Sequence, residues 1–179
     1  QYVQSRIKDN GISRILSLPC SNGEEAYTLA ILGLESDIYM EVVGMDVNPQ
    51  LIEIAFGGKI YIPTPRFKNI NPWIEAGYVR TIPKTTREQK ELSTANIEIA
   101  QFVMDRCEFF NFDVLEKHLE DKFDAIYCLN LFVYLTDLGK ETALKNIVSG
   151  MNSGSLLIVD QPYWVLPSIS RPGLPRYNG

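Results

Sequence analysis

Short apolar runs alternate with segments of helical periodicity in the first part of the chain. Residues 14–18 form an apolar, β-rich run that ends at Pro19, and the polar residues 20–23 are typical of a tight turn. The apolar positions of residues 24–34 recur at helical spacing, and the two acids that begin this segment suit the positive end of a helix dipole. We therefore predict a strand, a tight loop and a helix in succession.

The same alternation continues along the chain. Residues 39–44 predict a second strand, followed by a short helix over 51–56. Residues 123–129 and 155–160 are nearly continuous apolar runs, as expected of strands that are buried on both faces. Residues 140–148 lie between these runs and repeat apolar positions at helical spacing, so they predict a connecting helix.

The stretch from about residue 59 to 110 is the least regular part of the chain. It contains four prolines and is too long for an ordinary connection, so we expect an insertion with small elements of its own. Near its end, residues 102–104 and 107–110 alternate like strands. Further on, residues 151–154 predict a turn, and the proline-rich residues 161–179 predict an extended edge or tail.

Alternation of strands and helices predicts an α/β domain over residues 1–160. The expected architecture is Rossmann-like, with a mostly parallel, twisted sheet and helices on both faces. In such sheets, ligands bind beyond the carboxyl ends of the strands. The candidates for chemistry are therefore the polar residues that directly follow the predicted strands.

Composition and charge restrict the classes of partner. The chain has 179 residues, of which 45% are hydrophobic and 22% are charged, so it is long enough for one globular domain with a real core. Its formal net charge is −5 and it has no basic run, which disfavours binding to nucleic acid. No apolar stretch approaches the roughly 20 residues needed to span a bilayer, so we expect no membrane insertion.

The cysteines and the first residues bear on the compartment. Cys20, Cys107 and Cys128 are widely spaced, form no CxxC pair and have no histidine cluster beside them. We therefore expect reduced thiols in the core of a cytoplasmic protein, and no metal site. The chain begins at Gln1 with neither an initiator Met nor the apolar centre of a signal peptide, which is expected of an excised domain.

Several catalytic signatures are missing from the sequence. There is no GxxxxGK[ST] phosphate loop, and no GxGxxG follows the first strand, which disfavours a nicotinamide-dependent oxidoreductase. GxSxG and HExxH are absent as well. The single histidine, His118, lies in a run of charged residues, so a catalytic triad based on histidine is not expected.

Polar residues follow four predicted strands and together suit a nucleoside cofactor. The loop at 21–24 offers backbone donors at a helix start, which suit a carboxylate, and Asp46 is placed to accept hydrogen bonds from ribose hydroxyls. Asp113 could accept from an adenine amino group, and the backbone around Asn130 could hold a sulfonium. S-adenosylmethionine combines these groups. The predicted cofactor-binding residues are Ser21, Asn22, Gly23, Glu24, Asp46, Val47, Asp113, Val114, Asn130 and Leu131.

Each part of this set also has a purely structural explanation. Residues 21–25 are good turn and helix-start chemistry, Asp46 could cap a helix, and Asn130 could be an ordinary turn residue. The aromatic residues near Asn130 are expected in the core rather than at a substrate: Tyr127, Phe132 and Tyr134.

Residues 14–30 resemble the first motif of the CheR-type chemotaxis-receptor glutamate methyltransferases, with a small residue, a serine, a variable residue and then Gly-Glu-Glu. The resemblance continues through the acidic segment 44–48, through 55–61, and through 123–134, where Phe-Asp-x-Ile-x-Cys precedes Asn and Tyr. Together these motifs cover about residues 11–160.

This resemblance implies a class I methyltransferase fold that uses S-adenosylmethionine, releases S-adenosylhomocysteine and needs no metal. It carries cofactor roles to Ser21, Gly23, Glu24, Asp46, Asn130 and Leu131. Within that set, Glu24 is implied to hold the amino group of the methionine moiety.

The implied acceptor is a protein glutamate, as in a chemoreceptor-like partner, and the family also has an N-terminal helical domain that helps to cover the site. A carboxylate acceptor needs no general base, and we assign no catalytic residue. The alternative hypothesis is a non-catalytic module that binds S-adenosylmethionine or S-adenosylhomocysteine within a larger sensory or scaffolding protein.

Overall fold

The computed structural model describes residues 13–63, 70–83 and 94–160, so the predicted tail at 161–179 lies outside the described residues. In chain order the elements are β1 (Ser13–Ser17), α1 (Glu24–Glu35), β2 (Met40–Asp46), α2 (Pro49–Phe56), β3 (Lys59–Pro63), α3 (Asn71–Glu75), β4 (Val79–Ile82), β5 (Thr94–Ile99), α4 (Gln101–Met104), β6 (Cys107–Asn111), β7 (Phe123–Cys128), a 3-10 helix (Phe132–Tyr134), α5 (Asp137–Ser149) and β8 (Met151–Val159).

Five strands form a parallel sheet in the order β6-β2-β1-β7-β8. Ser17 at the end of β1 is in register with Gly44 of β2 and Tyr127 of β7, and Asp46 is in register with Asn111 of β6. Because all neighbouring pairs are parallel, the carboxyl ends of β1, β2, β6 and β7 meet at one edge. The predicted α/β, Rossmann-like fold is confirmed.

Successive residues of the central strands point to opposite faces of the sheet and into two cores. Ile15 faces the first core, which includes residues of α1 and α2, whereas Leu16 faces the second core, which includes Ala143 and Ile147 of α5. Helices therefore cover both faces, as predicted. In the described part of the chain the longest helix, α5, has 13 residues, and no helix there could cross a membrane.

A separate antiparallel sheet, in the order β3-β5-β4, occupies the middle of the chain. Its buried residues Ile60, Val79, Ile97 and Ile99 belong to the same core as α1. The insertion thus carries elements of its own, as its length predicts. Residues 107–110, which were predicted to alternate like a strand, lie in β6, so this prediction is confirmed. The strand is an edge strand of the parallel sheet rather than part of the insertion.

Two local predictions are wrong. Residues 102–104 lie in helix α4, where a short run of alternating side chains is overridden by helical hydrogen bonds to the carbonyl oxygen of Ala100. Residues 151–154 begin strand β8 rather than forming a turn. The pairing shifts between Phe123 and Ala125, and Gly154 has a φ of +83°, so the turn-forming residues are accommodated as an irregularity within the strand.

Candidate cofactor site

Backbone hydrogen bonds join the loop after β1 to both neighbouring strands, β7 and β2. The Leu18 amide donates to the Tyr127 carbonyl at 2.8 Å, and the Cys20 amide donates to the Met45 carbonyl at 2.8 Å. Gly23 ends the loop with a φ of +89°, and a Cβ there would lie 3.1 Å from the Cβ of Ala55. Glycine therefore permits both the backbone conformation and the close packing that bring the start of α1 to the strand ends.

The N-terminus of α1 is built differently from those of the other long helices. Asn48 caps α2 by accepting from the Gln50 amide, and Thr136 caps α5 by accepting from the Gly139 amide. In contrast, Gly23 is the N-cap of α1, and no side chain of the described residues caps it. The first-turn amides of α1 therefore keep their capacity to bind an anion, which a purely structural capping role for residues 21–25 does not explain.

Asp46 is buried, with 5% of its surface exposed, and it joins two loops. Its Oδ2 accepts from the Ser21 amide at 2.9 Å and its Oδ1 accepts from the Asn48 amide at 2.9 Å. Asn48, rather than Asp46, caps the following helix. Each carboxylate oxygen has a second lone pair, so Asp46 can still accept from ligand hydroxyls. Val47, the next residue, is 60% exposed and offers an apolar surface beside it.

Asn111 is part of this edge, although the sequence analysis did not select it. Its Nδ2 donates to the carbonyl oxygens of Asp46 and Val47, at 3.0 and 2.9 Å. These side-chain bonds add to the backbone pairing of Asp46 with Asn111 and hold the ends of β2 and β6 together. A polar amide at the last residue of a predicted strand was the available signal.

Asp113 and Val114 lie in the turn that follows β6. Oδ1 of Asp113 accepts from the Leu115 amide at 2.8 Å, and its carbonyl oxygen accepts from the Lys117 amide at 3.0 Å. Val114 is buried in the second core. Asp113 is half-buried, so its second oxygen Oδ2 is the one left for a ligand.

Asn130 and Leu131 lie beyond the end of β7. Asn130 is exposed and has a φ of +60°, a conformation that asparagine adopts more readily than most residues. Phe132 is buried and anchors the 3-10 helix, as predicted. Tyr134 is 83% exposed, so its predicted core position is wrong: in the short helix the side chain two residues after Phe132 points away from the core. Tyr127 is half-buried.

Glu25 is a further acid of this edge that the sequence analysis did not select. The Ser17 hydroxyl donates to its Oε1 at 2.7 Å, at the very end of β1. Burial raises the pKa of Glu25, and the bond from Ser17 only partly opposes that shift. Burial raises the pKa of Tyr127, and the negative charge of Glu25 raises it further. Glu25 therefore also lies near the end of β7.

Several carboxylates share this edge of the sheet. Burial and then the charge of Asp46 raise the pKa of the Cys20 thiol to about 12. Burial, Asp160 and Glu25 together raise the pKa of Cys128 to about 12. The thiols therefore remain protonated at neutral pH, in keeping with the predicted core role, and the negative field at the edge favours a cationic group.

Two cavities flank the strand ends. One, of about 520 Å³, is lined by Met45, Phe110, Asn111, Phe112 and residues 116–121, and includes His118. The other, of about 330 Å³, lies between α1 and the three-stranded sheet and includes Glu24. Across residues 13–63, 70–83 and 94–160, no three His, Cys, Asp or Glu side chains come together in a way that could hold a metal ion.

The donor set at the edge has the chemistry that an amino-acid nucleoside needs. The uncapped amides of α1 suit a carboxylate, Glu25 suits an ammonium, and Asp46 suits a pair of hydroxyls. These groups follow adjacent parallel strands, so they lie along one continuous edge.

Comparison with known proteins agrees with this chemistry. The model of the family described as "CheR methyltransferase, SAM binding domain" matches residues 1–162. The chemotaxis protein methyltransferase of Listeria innocua is 24% identical over 169 residues, which are 89% of this chain and 57% of that protein. The corresponding protein of Salmonella typhimurium is 28% identical over 155 residues, 83% of this chain and 50% of that protein. The chain thus spans about half the length of the curated relatives that it matches.

Solved structures share the fold at low sequence identity. The glycopeptide N-methyltransferase MtfA, in complex with sinefungin, is similar with a TM-score of 0.51 and 11% identity, over 88% of this chain and 46% of that one. A TehB-like SAM-dependent methyltransferase from Corynebacterium glutamicum gives a TM-score of 0.50 and 17% identity, over 88% of this chain and 58% of that one.

Proposed function

The chain belongs to the CheR methyltransferase SAM-binding-domain family, and on that premise we propose that it binds S-adenosylmethionine and transfers a methyl group to a protein glutamate carboxylate. One observation carries the proposal: the uncapped start of α1, the buried Asp46 and Glu25 meet at the ends of adjacent parallel strands. No other edge of the described residues combines an anion-binding helix start with acids for hydroxyls and an ammonium.

We propose the following roles for the side chains and amides of this edge. The amides of α1 hold the carboxylate of the methionine moiety, and Asp46 accepts from the ribose hydroxyls. Asp113 Oδ2 accepts from the adenine amino group, with Val47 and Val114 as apolar neighbours. Asn130 and Leu131 border the sulfur end. Ser21, Asn22 and Gly23 supply the backbone between β1 and α1.

The geometry favours Glu25 over Glu24 as the acid for the ammonium group. Glu25 is held at the end of β1 by Ser17, whereas Glu24 accepts from Asn22 and lines the cavity beside the second sheet. Successive residues of a helix are about 100° apart, so the two acids face different sides of α1. We therefore assign the ammonium to Glu25.

A carboxylate acceptor suits the rest of the site. When bound, S-adenosylmethionine would supply a methyl group on a positively charged sulfur. A carboxylate oxygen would bond to the methyl carbon as the carbon–sulfur bond breaks and S-adenosylhomocysteine leaves, so no proton would have to be removed from the acceptor. Burial keeps the pKa of the Cys20 and Cys128 thiols at about 12, so they are poor proton acceptors at neutral pH. The protein then has to align the acceptor and exclude water, which are positioning tasks.

The acceptor class rests on the names of the relatives, which are chemotaxis protein methyltransferases. We propose a chemoreceptor-like protein as the partner. The test is transfer of a tritiated methyl group from S-adenosylmethionine to a chemoreceptor cytoplasmic fragment, compared with a fragment in which the acceptor glutamates are replaced by alanine.

Label that appears only on the first fragment, and that base releases as methanol, would support methyl ester formation. Base-stable label would contradict a carboxylate acceptor. Cofactor binding without labelling of any fragment would contradict transfer and favour the non-catalytic binding module. The Asp46→Ala variant serves as the control for label that does not depend on the proposed site.

A further inference from the structure

A mostly apolar cavity lies between α1 and the three-stranded sheet. Its volume is about 330 Å³, within the range of small-molecule sites in proteins, roughly 300–1,000 Å³. Its walls are buried side chains from α1, the second sheet and the segment around α3: Tyr27, Ile31, Ile60, Ile70, Val79, Ile97 and Ile99. The interior therefore suits an apolar group.

The mouth of this cavity is polar and acidic. Glu24, Thr28 and Trp73 line it and are half-buried, whereas the wall residues are buried. The Thr28 hydroxyl donates to the carbonyl oxygen of Glu24 at 2.8 Å, so its proton is already used. Oε1 of Glu24 accepts from Asn22 Nδ2 at 3.1 Å, and Oε2 makes no hydrogen bond to a described residue. Among the described residues, the lining includes no lysine or arginine that could neutralise this carboxylate.

We infer that this cavity binds a small amphipathic amine, with its apolar body among Ile60, Ile97 and Trp73 and its ammonium against Glu24. A charge-assisted hydrogen bond to Oε2 would satisfy the carboxylate, and Trp73, which also lines the cavity, offers an aromatic ring that can attract a cation. The negative charge of Glu24 would repel an anion of the same size. A neutral apolar molecule would fill the cavity but leave the carboxylate without its cation.

The site is separate from the proposed cofactor site. Glu24 and Glu25 are neighbours in sequence, but one lines this cavity and the other is bonded to Ser17 at the end of β1. Binding of the amine can therefore be tested whether or not the chain binds S-adenosylmethionine.

Trp73 gives a direct signal for the test. The sequence contains two tryptophans, Trp73 and Trp164, so the Trp164→Phe variant leaves one indole, at the mouth of the cavity. This variant is titrated with three probes of similar size: phenethylamine, 2-phenylethanol and phenylacetate. We expect a saturable change in Trp73 fluorescence with phenethylamine, affinity about tenfold weaker for 2-phenylethanol, and no binding of phenylacetate at the concentrations that saturate with the amine.

Charge at the mouth is tested by two matched variants of α1 in the Trp164→Phe background. Glu24→Gln should lower the affinity for phenethylamine about tenfold, to that for 2-phenylethanol, while the affinity for the alcohol stays the same. Glu35→Gln, at the far end of the same helix, should change neither value. Glu24 is half-buried and glutamine has nearly the same size and shape as glutamate, so the variant is expected to fold, which a circular dichroism melt verifies.

Three results would overturn the inference: no saturable change with the amine, equal affinity for all three probes, or an amine preference that survives Glu24→Gln. Changes in the NMR chemical shifts of isoleucine methyl groups on addition of phenethylamine locate the binding site. Shifts centred on Ile60, Ile97 and Ile99 support the cavity, and shifts centred elsewhere contradict it.

Discussion

Two acidic residues in the first turn of α1 have different surroundings. Glu24 is half-buried at the mouth of an apolar cavity. Glu25 is bonded to Ser17, and burial raises its pKa. A carboxylate in such a position costs folding free energy when ionised, unless a cation arrives to pair with it.

This cost gives a testable pattern for Glu25→Gln. The pKa of Glu25 is raised from 4.5 in the folded state, so its contribution to stability is present below about pH 4.5 and is lost as the pH rises through the raised pKa. At neutral pH the variant should therefore unfold at a higher temperature than the wild type, and the difference should vanish well below pH 4.5. Thermal melts across this pH range measure it.

The same variant should lose cofactor affinity. Loss of a charged hydrogen bond of about 1.5–3 kcal/mol predicts a dissociation constant for S-adenosylhomocysteine that is about 10 to 150 times larger. Glu35→Gln, in the same helix, is the matched control for both measurements. A Glu25→Gln protein that is less stable at neutral pH and binds normally would show that Glu25 is only a structural partner of Ser17.

Some residues of this edge can be placed from the sequence and others cannot, for a clear reason. Gly23 and Asp46 follow predicted strands directly, so their place at the carboxyl edge depends only on the strand pattern. Whether Glu24 or Glu25 faces that edge depends on the rotation of α1 about its axis, which tertiary packing sets. Tyr134 was misplaced for a similar reason, because the exposure of a residue in a single helical turn depends on which neighbour anchors it.

Among the elements, strands β2 and β6 pack closely because Gly44 of β2 leaves room for the ring of Phe109 on β6. A Cβ on Gly44 would lie 2.5 Å from Cδ1 of Phe109. The ring of Phe109 is itself packed edge-on against Tyr27 at 5.4 Å and Phe56 at 5.8 Å between centroids, so it has little room to move. This contact holds β6 beside the helices that carry the site.

We therefore expect Gly44→Ala to destabilise the fold by about 1–3 kcal/mol through overpacking. Chemical denaturation of the wild type and the variant measures the difference. Gly57→Ala is the control, because Gly57 has an ordinary φ of −71° and a Cβ there would lie no closer than 3.3 Å to another atom. Equal loss of stability in both variants would contradict the proposed role of the Phe109 contact.

Elements with long, consistent patterns were predicted well, and short ones were not. The apolar runs of β1 and β7 are continuous and buried, so periodicity and length agree. Helix α4 has four residues, too few to show a helical period. Strand β8 begins with residues typical of a turn, and its pairing with β7 holds them in an irregular strand. Pairing with a neighbouring strand is not visible in the local sequence.

At the scale of the whole molecule, the two sheets share a core. Ile60, Ile97 and Ile99 of the second sheet belong to the same buried cluster as Ile15 and Tyr27 of the parallel-sheet unit. The sequence indicated an insertion with elements of its own because of its length. It did not indicate that these elements form an antiparallel sheet against α1, since β3 and β5, which pair, are separated in the sequence by residues 64–93.

The shared core predicts that both sheets unfold together. In the Trp164→Phe variant, Trp73 beside the second sheet reports on that sheet, while far-UV circular dichroism reports on the helices of the whole chain. The two signals should give the same denaturation midpoint. A Trp73 transition at a clearly lower denaturant concentration would show that the second sheet is an independent unit.

Isothermal titration of the chain with S-adenosylmethionine and S-adenosylhomocysteine tests whether this edge binds the cofactor. We predict saturable binding of one molecule per chain, lost in Asp46→Ala and kept in Glu41→Ala, which removes an exposed acid from the same strand. Thermal melts show whether each variant is folded. An absence of binding to either compound by the folded wild-type chain, or full binding by Asp46→Ala, would contradict the account.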